Sequence, residues 1–588
     1  MTTETKKCAN CNTDFQITPD DLDFYEKVKT PPPTWCPECR LVRRMTFRNE
    51  RSLYKRTCDL CKKEKIFMYH TNAPYTVYCK ECWWSDTWDP KSYAKEYNPS
   101  KPFFKQFKEL LHAVPRPGTI QQGNNTDSEY TNRVTDMRNC YLVFGAINDE
   151  FCKYSVWLND SKECMDCYNV QKSEQCYECI DCVQCYQTAF SEESSNCIDS
   201  WFLMDCINCQ NCFGCVNLRN KNYCIWNKQY SKEEYEKMVQ PLRSGSALTL
   251  AGIHAKFQDF RKQFIVPAIS GHRNKNVSGN WIENSKNLRD SFSSLDVEDG
   301  RYCFAISGAK DVMDYTYWGK ESELIYEAVN IGIQCSNVAF AHECWSGLTE
   351  SQYVMNCHNS KNLFGCIGLQ NAEYYILNKK YSKEEYEKLV PEIIEQMNAI
   401  PYTDTKEKKY RYGEFFPFNC SPHAYNESLS QEFFPLSKNE IEKQGYQWNE
   451  PETKNYKISL PTETLPDNIE NAPTSITKDI IGCEHGGKCT HQCTTAFRIL
   501  PEELQMYKNA SLPLPRLCPN CRHYARLAKR TPLKLWHRQC VCDYEVYKNS
   551  AKHEHHPEGR CTNEFETSYD PERKEIVYCE TCYQKEVA

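Results

Sequence analysis

Residues 139–190 read NCYLVFGAINDEFCKYSVWLNDSKECMDCYNVQKSEQCYECIDCVQCYQTAF. Cysteines at 140, 152, 164 and 176 recur every twelve residues, and the phase then shifts and resumes at 185, 197 and 209. Apolar triplets alternate with Asn, Asp, Ser and Lys. A fixed short period of this kind predicts a β-solenoid: one coil is too small to bury its own inner face, and stacking buries it.

The stretch occurs twice. FGCVNLRNKNYCIWNKQYSKEEYEKMV from Phe213 and FGCIGLQNAEYYILNKKYSKEEYEKLV from Phe364 lie 151 residues apart, an offset that also places Cys206 on Cys357 and Cys152 on Cys303. Each copy ends in YSKEEYEK. Ser231 or Ser382 stands as N-cap with Glu234 or Glu385 three residues on, the reciprocal capping box of a helix start, so a helix is expected to close each stack. Ahead of the copies, Phe104, Phe107, Leu110 and Leu111 sit at helical spacing, and KFQDFRKQFIVP repeats the theme; these read as docking helices.

Both ends carry paired Cys knuckles. Cys8, Cys11, Cys36 and Cys39 form one set, and Cys58, Cys61, Cys79 and Cys82 a second. The C-terminus repeats the arrangement: Cys493 to Cys518 spans the same 25 residues as Cys11 to Cys36, and Cys521 to Cys540 the same 19 as Cys39 to Cys58. The third set is therefore read as Cys489, Cys493, Cys518 and Cys521, with Cys483 as a substitute for Cys489. The fourth is Cys540, Cys561, Cys579 and Cys582, with an 18-residue insertion that carries Cys542, His553, His555 and His556. Four thiolates make a closed tetrahedral site, so four structural Zn²⁺ ions are expected. The histidines of the insertion are read as solvated.

The order C-x2-C, F-x-I/F, an acidic residue before F-Y, then P-x-x-C-P-x-C-R and basic residues resembles the zinc-ribbon, treble-clef-like domain of small bacterial proteins. Residues 8–44 match closely and 489–526 less so. The resemblance implies zinc at the matching cysteines, and no reaction.

Arg40, Arg43, Arg44, Arg48 and Arg51 follow the first C-P-x-C-R knuckle, and Arg522, Arg526, Arg530 and Arg538 follow its C-terminal counterpart. With Tyr54, His523, Tyr524 and Trp536 interleaved, they are expected to track phosphates of RNA or a ribonucleoprotein. The bland alternative is neutralisation of the thiolate centres. The runs CYECIDCVQC and CINCQNCFGC invite an iron–sulfur reading. In the duplicate, however, Cys209 becomes Ser360 and Cys212 becomes Leu363, which suits buried thiols better.

The whole chain has 588 residues, net charge −7 and 38 cysteines. No export signal or apolar span is found, so a reduced, cytoplasmic protein without membrane contact is expected. No phosphate loop, nucleophile elbow or H-E-x-x-H motif occurs. Asp166, Asp181, Glu298 and Asp314 are the residues a groove enzyme on the solenoid would use. The expected architecture is mainly β with α caps: paired zinc ribbons over 1–90, a first helix and solenoid unit over 91–245, its duplicate over 246–396, an extended aromatic arm over 397–480, and a second ribbon pair over 481–588. The expected role is non-catalytic: RNA binding through the ribbons, or a scaffold with protein partners on the solenoid face.

Overall fold

The computed structural model describes residues 2–587 apart from 315, 321, 323, 324, 333–335, 453–455 and 548. In the first solenoid, successive coils pair in parallel at a spacing of twelve: Val156 lies beside Phe144 and Tyr168, and Tyr168 beside Ile180. Lys153 N–H donates to Cys164 O on the next coil at 3.0 Å, and Asp166 N–H donates back to Lys153 O at 3.1 Å. Every third residue is left-handed; Asn148, Phe151, Tyr154, Trp157 and Asp160 have φ of 57°, 57°, 54°, 58° and 51°. The residue after each of these corners faces the axis, so Asp149, Cys152, Ser155, Leu158 and Ser161 are buried. Each coil thus has four sides of three residues.

This grid explains the sequence. Asn and Asp tolerate the left-handed corner best, so they punctuate the apolar groups. They also bond along the stack, Asn148 Nδ2 to Asp160 Oδ1 at 2.8 Å and Asn169 Nδ2 to Asp181 Oδ1 at 2.6 Å. A corner such as Trp157 costs about 1–2 kcal/mol. Its ring recovers this by packing on Tyr168 and, across the two solenoids, on Phe304, at centroid distances of 5.2 and 5.8 Å.

The grid also corrects the apparent phase shift. From 176 to 185 is three sides, so the cysteines change face within an unbroken register. Cys176, Cys179, Cys182 and Cys185 are the four sides of one coil, all buried. Cys182 Sγ lies 3.4 Å from Ile180 O and 3.5 Å from Ser191 O, and the other three repeat this pattern. Carbonyls only accept, so these are thiol donors in a small-residue core; Ser161, Ser191 and Thr188 fill the same role on other coils.

The second solenoid uses coils of eleven to thirteen residues: Lys275 pairs with Lys286, Leu295 with Ser307, and Val329 with His342. Its first irregularity falls beside Gly279, whose φ is 141° and whose added Cβ would meet Ser291 O at 1.7 Å. Branched residues such as Ile282, Val297, Val312, Ile331 and Val354 dominate its core. The capping boxes form as expected, with Ser231 and Ser382 opening the helices Lys232–Val239 and Lys383–Ala399. Phe104, Phe107, Leu110 and Leu111 are buried on the helix Phe103–Ala113. Phe415, Phe416 and Phe418 of the aromatic stretch pack on Phe47, Tyr353 and Trp35.

The ends are exchanged between the solenoids. Val77–Tyr78 pairs with Arg116–Pro117, which leads into the first solenoid, and Ile576–Tyr578 pairs with Ile265–Pro267, which leads into the second. The helix Pro37–Thr46 instead docks on the second solenoid and the helix Pro519–Leu527 on the first, through the ion pairs described next.

Candidate metal centres and their docking onto the solenoids

Among the described residues, groups of four cysteines that could hold a metal ion include two near each end. In each, a knuckle at the end of a short hairpin faces the start of a helix. The third cysteine's amide donates to the first cysteine's sulfur every time: Cys36 N–H to Cys8 Sγ at 3.2 Å, Cys79 to Cys58 at 3.3 Å, Cys518 to Cys483 at 3.2 Å and Cys579 to Cys540 at 3.1 Å. A divalent ion bound by thiolates at about 2.3 Å sets tetrahedral sulfurs about 3.8 Å apart. Cys11 and Cys36 are 3.8 Å apart, Cys61 and Cys79 3.8 Å, Cys493 and Cys518 3.9 Å, and Cys561 and Cys579 4.0 Å. The donor sets therefore fit such an ion.

In the third module Cys483, rather than Cys489, takes the position of Cys8. Cys483, Cys493, Cys518 and Cys521 form the closed group, while Cys489 joins His485, His491 and Cys521 in an adjoining one. The insertion of the fourth module leaves His555 exposed but buries its other two histidines. His553 and His556 are 0 and 7% exposed, and Cys542 is buried beside them.

The arginines expected to meet phosphate face inward. Arg40, Arg43, Arg44 and Arg48 are at most 1% exposed. Arg40 Nε donates to Asp314 Oδ2 at 2.7 Å, and Arg44 Nη1 lies 3.2 Å from Asp314 Oδ1. Arg43 bridges Glu327 and Glu414 at 2.7 and 3.2 Å. Arg48 donates to Glu50 at 2.6 Å and lies over the Tyr317 ring. In the third module, Arg526 Nη1 donates to Asp166 Oδ1 at 2.7 Å and Arg522 Nη1 lies 3.3 Å from Asp166 Oδ2. Arg530 Nε donates to Asp181 at 3.0 Å and stacks on Trp281. Arg51 donates to Asn520, joining the two termini, and Arg538 to the carbonyls of Tyr569 and Asp570. All nine of these arginines have partners inside the chain, whereas lysines of the same segments, such as Lys55, Lys63 and Lys534, are exposed.

The pattern is repeated. Residues 40, 44 and 48 match 522, 526 and 530 when Cys39 is laid on Cys521. In both modules the arginines at i and i+4 grip one aspartate that is 0% exposed. Burial disfavours the guanidinium charges, yet Asp314 holds Arg40 well above its ordinary pKa, and Asp166 does the same for Arg522. Asp166 and Asp314 are therefore anchors rather than groove acids. Glu298 is paired with Lys286 on the surface, and only Asp181 reaches the cleft between the solenoids.

That cleft has a volume of about 1260 Å³. Trp157, Asp181 and Glu193 line it from the first solenoid, and Trp281 and Trp318 from the second. Burial of the Glu193 carboxyl in its wall, aided by Asp181 and Asp205, pushes that group up to about 8.

Among the described residues, no helix is long and apolar enough to cross a membrane. Compared with known proteins, the chain matches no family and no curated sequence.

Proposed function

We propose that the chain is a non-catalytic scaffold whose cysteine modules are zinc ribbons acting as clamps. Each ribbon pair straps one solenoid to the other and so fixes the cleft between them, which is left to a protein partner. The observation that carries this reading is the grip of Arg40 and Arg44 on Asp314, repeated by Arg522 and Arg526 on Asp166. A nucleic-acid-binding stripe would keep such cations in solvent, where releasing condensed counterions supplies affinity. All-cysteine coordination also leaves no open position for a substrate, which suits structural zinc.

Ultraviolet crosslinking in cells, followed by denaturing purification of the full-length chain, tests the reading. No covalently attached RNA is expected. Crosslinked RNA that is lost on substituting exposed lysines of the modules would overturn it.

A further inference from the structure

We propose that each of the two C-terminal modules holds a second metal ion, making two thiolate-bridged binuclear Cys/His centres. The inference goes beyond the four clamp ions and adds two.

Both C-terminal modules differ from the N-terminal ones in the same way. In the first and second modules the knuckle is C-x2-C. In the third, Cys493 follows Cys483 by ten residues, and in the fourth, Cys561 follows Cys540 by 21. Each insertion folds back over its own four-cysteine group and brings fresh donors onto it. His485, Cys489 and His491 gather with Cys521, all four donor atoms lying within 4.8 Å of one another. Cys489 Sγ is 3.7 Å from Cys521 Sγ, and His485 Nδ1 is 3.3 Å from it.

In the fourth module Cys542 Sγ is 3.4 Å from His553 Nδ1, His553 Nδ1 is 3.1 Å from His556 Nε2, and His556 Nε2 is 3.1 Å from Cys582 Sγ. With bonds of about 2.3 Å to sulfur and about 2.0 Å to nitrogen, the edges of a tetrahedron are about 3.8 Å for S–S, about 3.5 Å for S–N and about 3.3 Å for N–N. The observed separations are 3.7 Å for S–S, 3.1 to 3.4 Å for S–N and 3.1 Å for N–N, each within about 0.4 Å of those edges. Two neutral hydrogen-bonded imidazoles and a thiol would not require all three to turn towards one point.

Two further observations point to an ion. His553 Nε2 lies 2.9 Å from Glu586 Oε1, so its other nitrogen is oriented by a carboxylate, the usual support of a metal-bound imidazole. The bridging position also has its own control. Cys39 is the counterpart of Cys521, and its sulfur accepts a hydrogen bond from Asn10 Nδ2 at 3.2 Å. In the first module, where the short knuckle supplies no extra donors, an amide thus satisfies the thiolate; in the third, Cys489 and His485 stand at that sulfur instead. A set of two sulfurs and two imidazoles suits a tetrahedral divalent ion such as Zn²⁺. Charge favours it as well: a centre of four thiolates with one divalent ion is formally −2, and five thiolates with two such ions are −1.

The test is metal content of the purified full-length chain by elemental mass spectrometry, with cobalt substitution as a second readout. About six ions per chain are expected. His485→Ala with His491→Ala, and separately His553→Ala with His556→Ala, should each remove one ion while circular dichroism stays unchanged. In the cobalt form, ions sharing a thiolate couple magnetically, so paramagnetic resonance intensity per cobalt should rise in either variant. Four ions in the parent chain, unchanged in both variants, would overturn the inference and leave the clamp reading standing. Fewer than four would overturn both.

Discussion

Replacing Asp166 by Ala removes the one carboxylate that Arg522 and Arg526 share, at 3.3 and 2.7 Å. Asp166 is 0% exposed and the arginines 5 and 2%, so water cannot take its place. Removing one partner of a buried pair leaves an uncompensated charge and costs about 3–5 kcal/mol. Glu503, 3.7 Å from Arg522, softens this only in part, because its carboxylate already accepts from Tyr154 and Tyr507. For a folding unit of 150–250 residues, about 2–4 °C is lost per kcal/mol, so the melting temperature should fall by about 6–20 °C. The triple change Asp166→Leu, Arg522→Met, Arg526→Met removes the aspartate and both arginines and should recover part of the loss, since well-packed apolar replacements of buried pairs are close to neutral while Glu503 loses its nearby cation. Differential scanning calorimetry of the zinc-loaded chain measures both. A fall of less than about 2 °C for Asp166→Ala would refute the clamp as a source of stability.

Three other outcomes are expected. Glu193 has a folded pKa near 8 and an unfolded one near 4.3, so the folded chain binds the extra proton between them. Its contribution to stability therefore falls as pH rises through about 4.3 and levels off above about 8; Glu193→Gln should flatten that slope in urea titrations and stabilise the chain at pH 8. Cys164→Ser in the first solenoid should cost no more than about 1 kcal/mol, because a hydroxyl can donate to the carbonyls of Lys162 and Ser173 as the thiol does, whereas Cys518→Ser should unfold its module and release metal. Arg40→Ala with Arg44→Ala should expose the segment around Pro37–Thr46 to limited proteolysis without altering the metal content of the first module.

What could be read from the sequence was local or periodic. Twelve-residue recurrence announced the solenoid because the same inward position returns once per coil and Cys fills it repeatedly, and the capping boxes at Ser231 and Ser382 are set by neighbours three residues away. Knuckle spacing is equally local. The anchors were not legible in the same way, because Arg40 and Asp314 are 274 residues apart and Arg526 and Asp166 are 360 apart. Even so, the spacing of four shared by Arg40, Arg44, Arg48 and by Arg522, Arg526, Arg530 marked one helical face, a hint of burial that local charge counting passed over. The choice between Cys489 and Cys483 was left open for a related reason. The amide of Cys518 donates to the Cys483 sulfur and so fixes which sulfur stands first, a contact across 35 residues. His553 and His556 of the fourth module read as part of a solvated run because their folding back over the cysteines is a tertiary event.

The most direct test of the account is hydrogen exchange of the full chain before and after removal of metal by a chelator. If the modules are clamps, exchange should quicken in the modules and also in the solenoid coils that they hold, residues 154–183 above all, as the cover of the third module is lost. Faster exchange confined to the modules, with those coils as protected as before, would contradict it.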